Sequence, residues 1–165
     1  ERLVVLDNGA LRFSRDGPIR EDSPAREAAA KAIAAHLARH GGVALIIDYG
    51  HARSSEGDTL QAVRGHAFAD LLANPGEQDL TAHVDFEALA KAVDGIAVTP
   101  VIAQGEWLER LGIAQRAQAL QAAHPERADA IAAERERLCD PGEMGALFKV
   151  MALHARDWPR PAGWP

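Results

Sequence analysis

The sequence predicts an α/β fold: the second half of a sheet with helices on its faces, led by an N-terminal β-hairpin. Three observations carry this. Val43-Ala44-Leu45-Ile46-Ile47 is an unbroken apolar run, the pattern of a strand buried on both faces beneath helices. Asn8-Gly9 separates two short strand-like segments, and this dipeptide favours a hairpin turn because both residues tolerate positive φ. Strand-like and helix-like segments then alternate along the rest of the chain.

Residues 2–6 and 10–14 are the hairpin strands. Ser23-Pro24 opens the first helix, with Ser23 suited to cap free N–H groups and Pro24 suited to the first helical position. Ala29, Ile33 and Leu37 fall on one of its faces, and Gly41-Gly42 ends it. The apolar strand follows and closes in Asp48-Tyr49-Gly50. Residues 51–82 read as loop-rich, with turn signals at Gly57-Asp58 and Asn74-Pro75-Gly76 and a short strand over 60–63. Asp85 caps a helix over 86–93, with Val84 and Leu89 at the stapling positions around its first turn. A strand is expected over 96–102, then helix over 105–138 with breaks near Gly112 and at His124-Pro125. Ala117, Leu120, Ile131 and Leu138 supply apolar positions there. Residues 146–153, apolar except for Lys149, form a final strand, and a Pro-rich tail follows from Trp158. Half of such a sheet leaves an open apolar edge.

Composition narrows the function. In 165 residues, 47% are hydrophobic and 25% charged, the balance of an ordinary globular domain. Aromatics are 5%, so the core rests on aliphatic side chains. The net charge is -6 with both signs interspersed, which argues against a nucleic-acid surface needing clustered Lys and Arg. No apolar run reaches the ~18 residues of a membrane span, so no membrane partner is expected. The single Cys139 cannot form an internal disulfide. A reducing compartment, and a cytoplasmic location, are therefore expected.

Several segments, in order and at shared spacing, resemble the MidA family of class I S-adenosylmethionine-dependent methyltransferases. They are the stretch Gly41 to His51, Gly57-Asp58-Thr59-Leu60-Gln61-Ala62, Asp79 to Phe86, Thr99-Pro100-Val101-Ile102-Ala103-Gln104-Gly105, Leu111-Gly112-Ile113 and Met144-Gly145-Ala146-Leu147-Phe148-Lys149-Val150. The resemblance implies a Rossmann-like sheet with 43–47 as its fifth strand, 96–102 as its sixth, and 146–153 as an antiparallel seventh between them. It implies S-adenosylmethionine as cofactor and a protein arginine as substrate, as for the family's mitochondrial members. The family's glycine-rich cofactor loop has no counterpart here, and no G-x-G-x-x-G follows a strand and opens a helix. Residues 1–165 are thus expected to be the C-terminal portion of the methyltransferase domain. Its cofactor-binding first half would be the partner, and the isolated chain is expected to be inactive.

Asp48 and Tyr49 are the leading catalytic candidates. They close a central strand, where open α/β sheets bind ligands, and a carboxylate can orient a guanidinium. Asp48 could equally cap the following loop. His83 has no evident local structural task, and the resemblance puts its segment on the substrate side together with Asp85, which is also a helix cap. Asp58 and Thr59 are either loop ties or substrate contacts, and Gln104 stands at a strand end on the same rim. No residue of this chain is expected to bind the cofactor. His51, His66 and His83 with Asp48 and Asp58 match no metal-ligand spacing, so no metal is expected. Two other functions compete with methyl transfer: a non-catalytic protein-interaction module, and a metal-dependent hydrolase.

Overall fold

The computed structural model describes residues 1–164. In chain order the first elements are β1 (Val4–Asp7), β2 (Ala10–Phe13), α1 (Pro24–His40), β3 (Val43–His51), β4 (Gln61–Arg64), β5 (Ala67–Ala69), β6 (Asp79–Thr81) and β7 (Val84–Asp85). Then follow α2 (Phe86–Ala92), β8 (Ala97–Val98), β9 (Ile102–Ala103), α3 (Gln104–Arg110), α4 (Ile113–Ala123), a 3-10 turn (Pro125–Arg127), α5 (Ala128–Cys139), α6 (Met144–Leu147) and β10 (Phe148–His154). They form two compact units. One comprises Glu1–Asp22 and Ser55–His83, the other Ser23–Ser54 and the chain from Val84 onward.

In the first unit, β1 and β2 pair antiparallel around Asn8 and Gly9, whose φ angles are 48° and 80°. This is the turn that Asn-Gly predicts. Asp7 and Arg12 form an ion pair across the hairpin. The stretch read as loop-rich instead holds a three-stranded antiparallel sheet in the order β5-β4-β6. Gly65 and His66 turn the chain between β4 and β5 with φ of 57° and 64°. A histidine seldom takes positive φ, so residue type alone does not announce this hairpin.

In the second unit, β10 runs antiparallel to β3 in a continuous register from Phe148↔Tyr49 to His154↔Val43. Its other edge pairs antiparallel with β8 and β9. β3 in turn takes up β7 in parallel at Gly50 and His51, and the order is β7-β3-β10-β8. An antiparallel last strand between two parallel ones is the arrangement implied by the class I resemblance.

Successive side chains of a strand point to opposite faces. Met151 and Leu153 of β10, with Ala44 and Ile46 of β3, pack into a core with Ala30, Ala34 and Leu37 of α1 and Phe86 and Leu89 of α2. Val150 and Ala152 face the other way, beneath Trp164, Ile102 and Trp107. That cover stops at β10. On the same face β3 leaves Val43, Leu45 and Ile47 exposed at 41%, 47% and 42%. The expectation that 43–47 is buried on both faces is corrected accordingly: α1 and α2 cover one face, and the other is open.

Three smaller corrections follow from packing. In α1 the buried stripe is Ala30, Ala34 and Leu37, while Ile33 is exposed. Alanines let α1 approach its neighbours closely, and the bulkier Ile33 lies off that seam. The strand read over 96–102 is broken, because Pro100 has no N–H to give to a ladder. Thr99 bridges the break: its N–H donates to Ala152 O at 3.0 Å, and its Oγ1 accepts from Ala152 N at 2.8 Å. The last strand starts at Phe148 because Met144–Leu147 forms a helical turn. That turn holds Gly145 against the Cys139 carbonyl, where a Cβ would come within 2.0 Å of the oxygen.

The β3–β7 contact depends on Gly50. A Cβ there would lie 2.2 Å from Val84 O. Gly50→Ala is expected to destabilise the chain by about 1–3 kcal/mol, the usual range for forced overpacking. Urea denaturation measures this, and an unchanged midpoint would show that β7 is not held tightly against β3.

Candidate active site at the end of strand β3

The C-terminal end of β3 gathers polar side chains onto both faces of the sheet. Asp48 lies on the face of the α1–α2 core, opposite Lys149 in the register. Its Oδ1 accepts a hydrogen bond from Tyr49 N at 2.8 Å, so one carboxylate oxygen steadies the strand end. Lys149 Nζ donates to the carbonyls of Ala146 and Leu147, and burial pulls its ammonium below its ordinary pKa.

Tyr49 and His51 lie on the other face. The Tyr49 ring meets Phe148 edge-on, with centroids 5.6 Å apart at 81°. Gly50 lets β7 approach, which brings Asp85 beside His51, its register partner. His51 Nε2 stands 3.9 Å from Asp85 Oδ2, an electrostatic contact rather than a hydrogen bond. Asp85 Oδ1 accepts from Ala88 N at 2.9 Å, the cap expected from the sequence. Asp85 therefore serves the helix with one oxygen and faces the imidazole with the other.

Just beyond β3, Glu87 ties the next loop down. Its carboxylate accepts from Ser54 N at 2.9 Å, and Lys91 and Arg53 lie 3.1 and 3.7 Å away. The Ser54 backbone bond, then Lys91, lowers its pKa from 4.5 to about 2.

The structure brings Asp48, Tyr49 and Asp85 to one strand end. Gln104 is elsewhere in the second unit: it is buried at the start of α3, and its Nε2 donates to Leu138 O at 3.0 Å. Asp58, Thr59 and His83 belong to the first unit. There Asp58 pairs with Arg2 at 3.0 Å and accepts from Leu60 N at 3.3 Å. Thr59 donates its hydroxyl to Glu21 and accepts from His83 N at 2.9 Å. Sequence reasoning weighed His51 only as a metal ligand, and the structure sets it beside Asp85. Its partner Asp85 is distant along the chain and reaches it only through the parallel β3–β7 pair. Cys139 is a half-buried thiol whose pKa is raised by burial and by the Glu109 charge.

The turn from β7 into α2 is closed by the Asp85 cap, and β9 passes into α3 through Gln104-Gly105 without a glycine-rich loop. A cavity between α4 and α5, lined by Ala117, Gln118, Gln121 and Arg135 among others, measures about 190 Å³. Among the described residues no group of three or more His, Cys, Asp or Glu could hold a metal ion, and no helix is long and apolar enough to cross a membrane.

Comparison with known proteins places this geometry in a family. The family profile for S-adenosyl-L-methionine-dependent methyltransferases matches residues 5–102. The mitochondrial protein arginine methyltransferase NDUFAF7 homologue of Drosophila melanogaster is 38% identical over 125 residues, 73% of this chain and 28% of that protein. The mitochondrial protein arginine methyltransferase NDUFAF7 of Xenopus laevis is 30% identical over 170 residues, 94% of this chain and 38% of that protein. The native crystal structure of a Burkholderia thailandensis protein aligns with a TM-score of 0.72 and 27% identity, covering 98% of this chain and 50% of its own. A second Burkholderia thailandensis structure, bound to S-adenosyl-homocysteine, aligns at 0.70 and 26%, covering 98% and 48%. The chain belongs to this family of S-adenosylmethionine-dependent methyltransferases, as its resemblance to the MidA proteins implied, and its fold is Rossmann-like. It spans about a third of the length of the curated relatives and about half that of the solved ones. The cytoplasmic expectation is corrected by the same relatives, which are mitochondrial proteins. A lone cysteine and a missing membrane span do not separate one reducing compartment from another.

Glu87 offers a direct check of the electrostatics at this strand end. Its folded pKa lies below its ordinary value, so its contribution to stability is full above pH 4.5 and is lost as pH falls towards about 2. A carboxyl carbon titration by NMR is expected to give a midpoint near 2, and Glu87→Gln is expected to flatten that part of the acid limb. A midpoint near 4.5 would show that the bonds from Ser54 and Lys91 do not persist in solution.

Proposed function

We propose that residues 1–165 form the C-terminal, acceptor-side portion of a methyltransferase domain that methylates a protein arginine. One observation carries the reading: Asp48, on one face of the sheet, and Tyr49, His51 and Asp85, on the other, stand at the C-terminal end of a central strand, where α/β sheets open their clefts. The names of the relatives supply the acceptor, an arginine side chain. The cofactor supplies the methyl group. The residues of this chain hold the acceptor and manage charge and protons.

The acceptor guanidinium is cationic and its nitrogens are poor nucleophiles. A carboxylate fixes its plane through charge-assisted hydrogen bonds and favours the nitrogen that faces the donor. Asp48 takes this role in the proposal, with Tyr49 bounding the acceptor. The methylated guanidinium keeps its charge once a proton is lost. His51, whose Nε2 lies 3.9 Å from Asp85 Oδ2, is the group placed to take that proton.

In the complete enzyme, Asp48→Asn is expected to lower turnover far more than stability. Losing one such contact costs ~2–4 kcal/mol, roughly thirty- to a thousandfold in rate. Turnover and melting temperature measured on one preparation decide the point. Reduced stability with unchanged turnover would leave Asp48 only its bond to Tyr49 N. The 165-residue chain alone is expected to bind S-adenosylmethionine weakly or not at all by calorimetry. Tight stoichiometric binding would refute the assignment of the cofactor site to another part of the protein.

A further inference from the structure

The C-terminal end of α1 carries two histidines that the chemistry above does not use. His36 and His40 are exposed and four residues apart, so the helix sets them on one flank, one above the other. Their ring centroids lie 4.7 Å apart at an interplanar angle of 42°. The seam that α1 buries runs through Ala30, Ala34 and Leu37, so neither imidazole belongs to the core. Neither meets a carboxylate: the histidine ion pairs among the described residues are those of His51 and His124. Arg39, the cation between them in sequence, is turned back along the helix, with its Nε donating to Ala35 O at 3.1 Å.

We infer that His36 and His40 form a two-point chelate for a divalent transition-metal ion of the nickel, copper and zinc group. Imidazole nitrogen suits these ions, whereas magnesium and calcium need oxygen ligands. The spacing of the rings fits. With metal–nitrogen bonds of about 2.0–2.1 Å, two imidazoles at a right angle on one ion set their centroids roughly 4.5 Å apart, and a tetrahedral pair sets them roughly 5.2 Å apart. The observed 4.7 Å falls between the two. The place on the helix also favours a cation. The last carbonyls of a helix lack intrahelical partners and give that end negative character. Here the Gly41 N–H serves the carbonyl of Leu37 at 2.8 Å.

These two histidines lie outside the set of His51, His66 and His83 for which no metal was expected. Two imidazoles leave the other coordination positions to water, and no carboxylate stands between them in His36-Leu37-Ala38-Arg39-His40 to act as a base. The pair is therefore a structural clip rather than a hydrolytic centre. A bound ion joins two successive turns at the end of α1, which passes through Gly41-Gly42 directly into β3. Trp158 stands close enough to report on it: its indole lies against Gly41, where a Cβ would come within 2.5 Å of Nε1.

Copper(II) is the probe, because in this group it binds imidazole most tightly. Titrated into the complete 165-residue chain, it is expected to bind one-to-one by calorimetry. As a paramagnetic ion it is expected to broaden the Trp158 indole N–H signal and the amide signals of residues 36–40 before those of any other histidine. Losing even an outer partner of a metal ligand costs roughly ten- to a hundredfold in affinity, so His36→Asn and His40→Asn are each expected to weaken binding at least ~tenfold. Both side chains are exposed, so the helical circular dichroism of these variants is expected to stay unchanged. His66→Asn, at a turn whose φ of 64° asparagine accepts, is expected to leave the affinity as it was. Broadening that begins at another histidine overturns the inference, as does an affinity that survives His36→Asn or one that falls equally with His66→Asn, which would mark adventitious binding to scattered imidazoles. Neither the binding nor its loss depends on methyl transfer.

Discussion

The β3–β10 pair is the constraint on which the second unit depends. Its register decides which side chains enter the α1–α2 core and which lie beneath Trp164. A slip of one residue would turn Met151 and Leu153 out of the core and bring Val150 and Ala152 to that face instead. The same register separates the polar residues at the strand end. Asp48 falls on one face with Lys149, and Tyr49 falls on the other with Phe148. The site is a consequence of pleat and register before it is a matter of chemistry.

The strand end is also where backbone constraints are densest. Gly50 admits β7 at a distance that no side chain allows. β7 passes directly into α2, so the placement of that helix, its cap and the Glu87 carboxylate all follow from one close approach. Exposed ion pairs such as Arg53–Glu87 add little by themselves. The Ser54 N–H bond matters more, because it fixes backbone to backbone-bound carboxylate across the loop that leaves β3.

What the sequence revealed divides along physical lines. Features set by a few adjacent residues were legible. The Asn8-Gly9 turn, the Asp85 cap with Val84 and Leu89 buried around it, and the helix breaks at Gly112 and His124-Pro125 all appear. Features set by distant partners were not. An apolar run reports that a strand belongs in an interior, yet it does not say which chain supplies the cover, so Val43, Leu45 and Ile47 were misjudged. The small sheet of β4, β5 and β6 was missed because its strands are short and its turn uses a histidine. Of the candidate site, the strand-end position of Asp48 and Tyr49 could be read directly. The His51–Asp85 contact could not, since it exists only once β7 lies parallel to β3.

Asp85 holds a helix and faces an imidazole with the same carboxylate. This has a consequence for how the position drifts during evolution. Selection on the fold alone retains a short polar residue there, because α2 needs an acceptor at its first turn whether or not any chemistry takes place. A descendant that had lost its activity would keep Asp, Asn, Ser or Thr at this place for the sake of the helix. An acidic residue at position 85 is therefore poor testimony that a distant relative is still an enzyme. His51 caps no helix, so under the proposed reading its loss or retention would be the more informative mark of which lineages keep the reaction.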